Sequence, residues 1–167
     1  MKYRFCRHLQ EDKKQTMKAT KKMKHTVLTD GPVTSDFIGT SIAKHNTKID
    51  IGAHAIFLGQ VRKDVKGKTT VASIEYSAHN EMAEKVFEDI REQAFEKYEM
   101  VCMHMHHSLG KIKTGEVSLF VFVSCKHRAQ SFEALEWIVE EIKNKVPVWK
   151  KENYDDGKYS WIGAEKK

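Results

Sequence analysis

Proline and glycine are sparse in this chain, at two and nine among 167 residues. That scarcity excludes a collagenous, linker-like or low-complexity polypeptide. Long apolar runs are missing too. The longest covers the five residues Leu119 to Val123, far short of the roughly 20 that a membrane-spanning helix requires. The N-terminal segment is basic but carries no apolar stretch, which argues against a secretory leader. A mitochondrial presequence stays open, although Lys outnumbers Arg there and Glu11-Asp12 interrupts the segment. Cysteine is limited to Cys6, Cys102 and Cys125. An odd and widely spaced set argues against a disulfide framework and for a reducing compartment, the cytoplasm. GxSxG, Walker and GxGxxG motifs are absent, and with them the signatures of many hydrolases and nucleotide binders.

What is present suffices for one domain: 40% hydrophobic residues in 167, enough for a single core. The charge is unevenly placed. The chain has 29 basic and 23 acidic residues, a net of +6, and residues 1–23 hold eight basic and two acidic ones. The remainder, 24–167, therefore carries 21 of each sign and is formally neutral. The basic character belongs to a tail, whereas a nucleic-acid binder usually wears it on the folded domain. We read 1–23 as a disordered extension, with Met17 and Met23 as alternative starts, and 24–167 as a single domain.

From residue 24 strands and helices alternate. His25–Thr29 reads as a short strand, and Gly31-Pro32 breaks it. Thr34, Ser35 and Asp36 offer caps for a helix carrying Phe37, Ile38, Ile42 and Ala43. Gly52–Val61 reads as a strand, 62–69 as a mobile hairpin loop, and Val71–Tyr76 as the return strand with Ala72, Ile74 and Tyr76 on one face. Helical spacing predicts a helix over Asn80–Tyr98. Val101–His107 reads as a strand that Gly110 turns. Val117–Cys125, apolar on both faces, predicts a central strand. A second long helix runs over 128–145 with Phe132, Leu135, Ile138, Val139 and Ile142 on its buried stripe, and Pro147 ends it. Asp155-Asp156-Gly157 turns a C-terminal hairpin between Val148–Lys151 and Tyr159–Ile162. This order predicts an α+β fold with a mostly antiparallel sheet and packed helices.

Several cations fall at structural edges: Arg62 at a strand end, His127-Arg128 at the start of a helix, Lys143 in its last turn and Lys150 just past Pro147. A helix N-terminus favours anions, yet each of these is an ordinary surface residue when taken singly. Cys102, His104 and His106 share one strand face and could in principle hold Zn or Cu. Their spacing fits no closed structural zinc site, so we read them as half-exposed strand residues and assign no metal. Cys125, two residues before His127, is a weak candidate nucleophile and more in keeping with a small buried hydrophobe.

Residues 124–152, SCKHRAQSFEALEWIVEEIKNKVPVWKKE, resemble the signature of the large, catalytic subunit of molybdopterin synthase: a Ser-x-x-His-Arg turn, a helix ending in Lys, then Pro-x-Trp-Lys-(Lys/Arg)-Glu. Upstream, 52-GAHAIFLGQVR-62, 74-IEYSAHNEMAEK-85 and 107-HSLGKIKTGE-116 resemble further motifs of that family in the same order. The resemblance covers about residues 25–162 and leaves 1–23 without a counterpart.

The resemblance implies an α/β hammerhead-type fold and a sulfur transferase. Its substrate is cyclic pyranopterin monophosphate, and its product is the dithiolene molybdopterin of molybdenum cofactor biosynthesis. Sulfur arrives as a thiocarboxylate on the C-terminal Gly-Gly of a small ubiquitin-like carrier subunit. Carried over by position, Lys143 and Lys150 are the catalytic lysines. Arg62, His127, Arg128, Gln60, Val61, Lys151 and Glu152 bind substrate, and Phe57 lines the pocket. Gln60 stands where the family often has Lys, and Lys151 where some members have Arg. No cofactor is implied. A phosphate and a thiocarboxylate must meet, so the pocket has to supply positive charge. Crowding among cations makes a neutral amine available, for which Lys143 is the expected group.

Arg128 and Lys143 stand 15 residues apart on one helix, roughly 22 Å at about 1.5 Å per residue. Both ends can serve one substrate in a homodimer whose partner completes the site, and with two small subunits this is a heterotetramer. The competing reading is a non-catalytic anion- or RNA-binding module anchored by the basic tail. Affinity for RNA that falls steeply with salt and vanishes without residues 1–23 would mark it.

Overall fold

The computed structural model describes residues 27–162. The basic tail and the His25 end of the first expected strand lie outside the described residues. Within them the order is β1 (Leu28–Asp30), α1 (Ser35–Ala43), β2 (Ala53–Gln60), β3 (Val65–Lys66), β4 (Thr69–Ala78), α2 (Asn80–Lys97), β5 (Met100–Lys113), β6 (Val117–Cys125), α3 (Arg128–Lys145), β7 (Val148–Tyr154) and β8 (Tyr159–Ile162). This is the α+β architecture the pattern predicts. Among the described residues no helix is long and apolar enough to cross a membrane.

Local chemistry sets the helix ends. The Thr34 hydroxyl accepts from Phe37 N–H at 3.2 Å and starts α1. His79 does the same for α2 through Nδ1, which accepts from Met82 N–H. α3 stops at Val146 because Pro147 disfavours helical geometry in the residue before it.

The strands run in the order β2-β6-β5-β4-β7-β8, with β1 parallel to β5 and β3 paired to β4. β6 is central: from Ser118 to Cys125 every residue is buried. α2 and α3 cover one face, packing Ala83, Phe87, Ile90, Ala134, Ile138 and Ile142 against Met103, Met105, Leu119, Val121 and Val123. α1 and the turn after it lie on the other face, over Phe120 and Phe122.

Three expectations are corrected. First, Val71–Tyr76 does not return beside Gly52–Val61: β4 pairs with β5 and β7, and β2 pairs with β6. The tight hairpin is the smaller β3–β4 turn, where Gly67 takes φ +63°. A register shift between Val71 and Ser73 buries Val71 and Ser73 and leaves Ala72 exposed. Second, Gly110 does not end its strand. β5 runs on to Lys113, and Gly110, at φ +78°, lies where β5 leaves β6 and takes up β4. The chain turns at Gly115, at φ +92°. Third, Phe132 is 60% exposed. In the first turns of α3 it faces a surface cleft, and the sheet is met only from Ser131 and Ala134 onward.

Candidate functional site

The register brings the ends of β2, β4 and β7 beside the C-terminal turn of α3. A cavity of about 560 Å³ opens there. Phe57, Gly59 and Leu119 form part of its wall, and Lys143, Lys150 and Arg62 supply cations. Gln60, Glu152, Tyr76, His107 and Ser118 supply hydrogen-bonding groups. Pro147 makes this meeting possible: by ending α3 it lets the chain reverse into β7, so that Lys150 faces the same space as Lys143.

The two lysines differ in setting. Lys143 is exposed, and its Nζ stands 5.3 Å from the centre of the Phe57 ring, a cation–π contact. Lys150 is half-buried. Burial holds its ammonium below the usual lysine range, and the charge of Lys143 adds to this. The amine the fold makes easiest to deprotonate is thus Lys150. Arg62 lies at the solvent rim, its guanidinium donating to Asp64 at 3.1 Å. Glu152 is buried and accepts from Lys66 Nζ and from Tyr154 O–H, so its carboxylate is already engaged.

Beneath the cations runs a hydrogen-bond chain that the sequence reading did not single out. Tyr76 O–H donates to Ser118 Oγ at 3.1 Å, and Ser118 O–H donates to Gly59 C=O at 3.2 Å. The Tyr76 ring meets His107 edge-on at 5.2 Å. His107 Nδ1–H donates to Ser108 C=O at 2.8 Å. Burial pushes the His107 imidazole down to about 4; the bond to Ser108 opposes this and Lys150 reinforces it. A neutral imidazole with a bare Nε2 therefore lines the cavity near neutral pH. Its signal was strand alternation: His107 is out of phase with Cys102, His104 and His106, and so lies on the helix-covered face.

Of the expected site residues, Phe57, Gln60, Arg62, Lys143, Lys150 and Glu152 meet here. Val61 is buried with Tyr76 and Ile112 just behind the wall. Lys151 turns away, donating to Glu75 at 2.9 Å beside the Tyr159 ring. His127 and Arg128 line a separate cleft at the opposite end of α3, with Gly52, Lys126, Ala129 and Phe132. Among the described residues the His127 side chain makes no cap bond to α3, so the N–H groups of its first turn have no side-chain cap from that residue. Cys125 is fully buried, and burial pushes its thiol up, so it is no nucleophile.

The model of the MoaE protein family matches residues 33–145. A molybdopterin synthase catalytic subunit of Pyrococcus abyssi is 42% identical over 115 residues, 69% of this chain and 76% of its own length. One from Bacillus subtilis is 38% identical over 75% of this chain and 78% of its own length. Among solved structures, molybdopterin synthase from Staphylococcus aureus superposes with a TM-score of 0.73 at 30% identity, covering 84% of this chain and 98% of that one. A complex of subunits 1 and 2 of the molybdopterin-converting factor of Helicobacter pylori shares the fold, with a TM-score of 0.70 at 21% identity over 83% of this chain and 90% of that one.

Proposed function

The chain belongs to the MoaE family, and from that premise we propose that it is the catalytic subunit of a molybdopterin synthase, converting cyclic pyranopterin monophosphate to molybdopterin by sulfur transfer. The observation that carries this reading is the cavity where Lys143, Lys150 and Arg62 meet above an aromatic and hydrogen-bonding floor. Two anionic reactants have to be held together, and a cluster of cations in a partly desolvated cleft is what lowers the cost of that encounter. Lys150, held below the ordinary lysine range by burial and by the charge of Lys143, gives up its proton more readily than a solvated lysine, and its free amine can take a proton or an acyl group. Lys143 stands at the mouth over the Phe57 ring, and Arg62 reaches the phosphate from the rim.

The sulfur donor is a small ubiquitin-like protein ending in a Gly-Gly thiocarboxylate. Leu58 and Ile162 line the cavity and are 44% and 42% exposed. They offer the apolar edge along which an extended tail can lie. Two copies of the chain with two small subunits form the working assembly, in the reducing cytoplasm. The separation of the Arg128 cleft from the Lys143 cavity supports a composite site, in which His127 and Arg128 of one copy serve the lysines of the other.

The test is an assay of the full chain with thiocarboxylated carrier and cyclic pterin, reading the dithiolene product. Product that depends on the carrier's terminal Gly-Gly is expected. A folded chain that binds the carrier and yields no product would overturn the proposal.

A further inference from the structure

The face of the sheet opposite α2 and α3 holds a second chemical cluster. Alternation along β5 sends Met103, Met105 and His107 to the helix side and Cys102, His104 and His106 to the α1 side. The turn after α1 returns His45 to that same face. Cys102 Sγ lies 3.3 Å from His104 Nε2, and His104 Nε2 lies 3.4 Å from His45 Nε2. The ligand atoms of these three residues all lie within 4.8 Å of one another.

Those separations match a tetrahedral metal site. With Zn–S near 2.3 Å and Zn–N near 2.0–2.1 Å, tetrahedral angles place sulfur and nitrogen about 3.6 Å apart and two nitrogens about 3.3 Å apart. Two edges of the tetrahedron are close to those lengths, and the third, between Cys102 and His45, is within 4.8 Å. His45 is oriented in advance. Its Nδ1–H donates to Ser41 C=O at 2.8 Å, which fixes the tautomer and leaves the Nε2 lone pair facing the cluster. Ser41 is itself tied by its hydroxyl to Phe37 C=O at 2.8 Å. His45 is 4% exposed and stands edge-on to Phe122 at 4.9 Å. His104 stacks on the same ring at 5.8 Å. His106, the third residue of the strand pattern, goes instead to Phe37 and Phe120.

We propose that His45, Cys102 and His104 form a zinc site, with water as fourth ligand, clipping the turn after α1 to β5. Two imidazoles and a thiolate suit this borderline-soft ion. Binding replaces the Cys102 S–H bond with a Zn–S bond and releases the proton to solvent. The sequence conceals the set, because His45 and Cys102 are 57 positions apart.

The experiment uses the full chain, stripped with a chelator and titrated with Co²⁺ as a spectroscopic stand-in for Zn²⁺. One Co²⁺ per chain is expected, with visible bands of tetrahedral intensity and a thiolate-to-metal charge-transfer band, both bleached by Zn²⁺. Cys102→Ser should remove the charge-transfer band. His45→Gln and His104→Gln should each weaken binding at least about tenfold, while His106→Gln leaves it unchanged. Melting curves establish that each variant is folded, and Zn²⁺ should raise the melting temperature of the parent chain and of His106→Gln, but not that of Cys102→Ser. An octahedral spectrum without charge transfer would overturn the proposal. So would a charge-transfer band that survives in folded Cys102→Ser, which would place the metal on Cys6 or Cys125.

Discussion

The Lys143 ammonium sits 5.3 Å above the Phe57 ring, although the two residues come from a helix end and a strand 86 positions away. The contact holds the flexible lysine over the cavity without neutralising it, as a carboxylate partner would. Lys143→Ala should eliminate product while costing under about 1 kcal/mol of stability, since alanine suits a helix. Phe57→Leu should keep the charge but loosen its position. A cation–π contact at such a site contributes about 0.5–1 kcal/mol, so sulfur transfer should slow by roughly two- to fivefold. Steady-state assays with melting curves check both, and near-normal turnover in Lys143→Ala would remove it from the chemistry.

Lys150 should be acylated at lower pH than ordinary surface lysines, because burial and the charge of Lys143 disfavour its protonated form. Lys143→Ala removes the like charge and leaves the burial. The pH midpoint of Lys150 acylation should then rise while staying below the usual lysine value. Peptide mapping after brief acylation across a pH series reads this, and an unmoved midpoint would show that the two ammonium groups do not interact.

His107 makes a pH-dependent contribution to stability. Unfolded, it titrates at the ordinary 6.5; folded, at about 4. Between these values the unfolded chain holds a proton that the folded chain does not. Stability is therefore complete above about pH 6.5, declines as pH falls, and is lost below about 4. The whole effect amounts to roughly 3 kcal/mol. His107→Gln abolishes this dependence, so the stability gap between parent and variant should narrow by about that amount from pH 7 to 4. Urea titrations at several pH values measure it.

The composite site predicts complementation. Arg128→Ala and Lys143→Ala should each be inactive alone. A mixture allowed to exchange subunits should regain activity, because each heterodimer contains one site with neither change. A mixture that stays dead despite mass-spectrometric proof of exchange would place both residues in the same subunit's reaction or remove one of them from it.

Gly52 tests the cleft at the start of α3. A Cβ at this position would stand 2.2 Å from Lys126 C=O, and the Gly52 N–H donates to Cys125 C=O at 3.0 Å. Gly52→Ala must push residues 126–128 outward, displacing His127 and Arg128. About 1–3 kcal/mol of stability should be lost, and substrate affinity should drop more than the lysine chemistry does. Denaturation and single-turnover kinetics separate the two effects.

Where features are local, the sequence was a good guide. The 128–145 helix, the stop at Pro147 and the turn at Asp155–Gly157 all rest on neighbours within a few residues, and the structure reproduces them. Partnerships between strands are not local. Val71–Tyr76 looked like the return of a hairpin because adjacent strands usually pair, yet the bulge and the apolar β6 draw β2 and β4 to different neighbours. Gly110 shows the same limit at one residue. A left-handed glycine reads alike in sequence whether it reverses the chain or, as here, redirects a continuing strand. Within the site, the family motifs located the cations. Tyr76, His107 and Ser118 required knowing which strand face looks into the cavity, whereas the distance of Arg128 from Lys143 followed from the helical rise alone.

The strand order also dictates when this protein can begin to fold. β5 and β6, joined across the short turn at 114–116, find each other soon after synthesis, as do the small hairpins β3–β4 and β7–β8. β2 must wait for residues 117–125, and β4 for β5 on one side and for residues 148–154 on the other. Through much of translation the future cavity walls are therefore open strand edges, prone to pair with other nascent chains. Pairing over such separations is also slow. Yield in a cell should accordingly track holdase chaperone supply and growth temperature more closely than the stability of the finished fold.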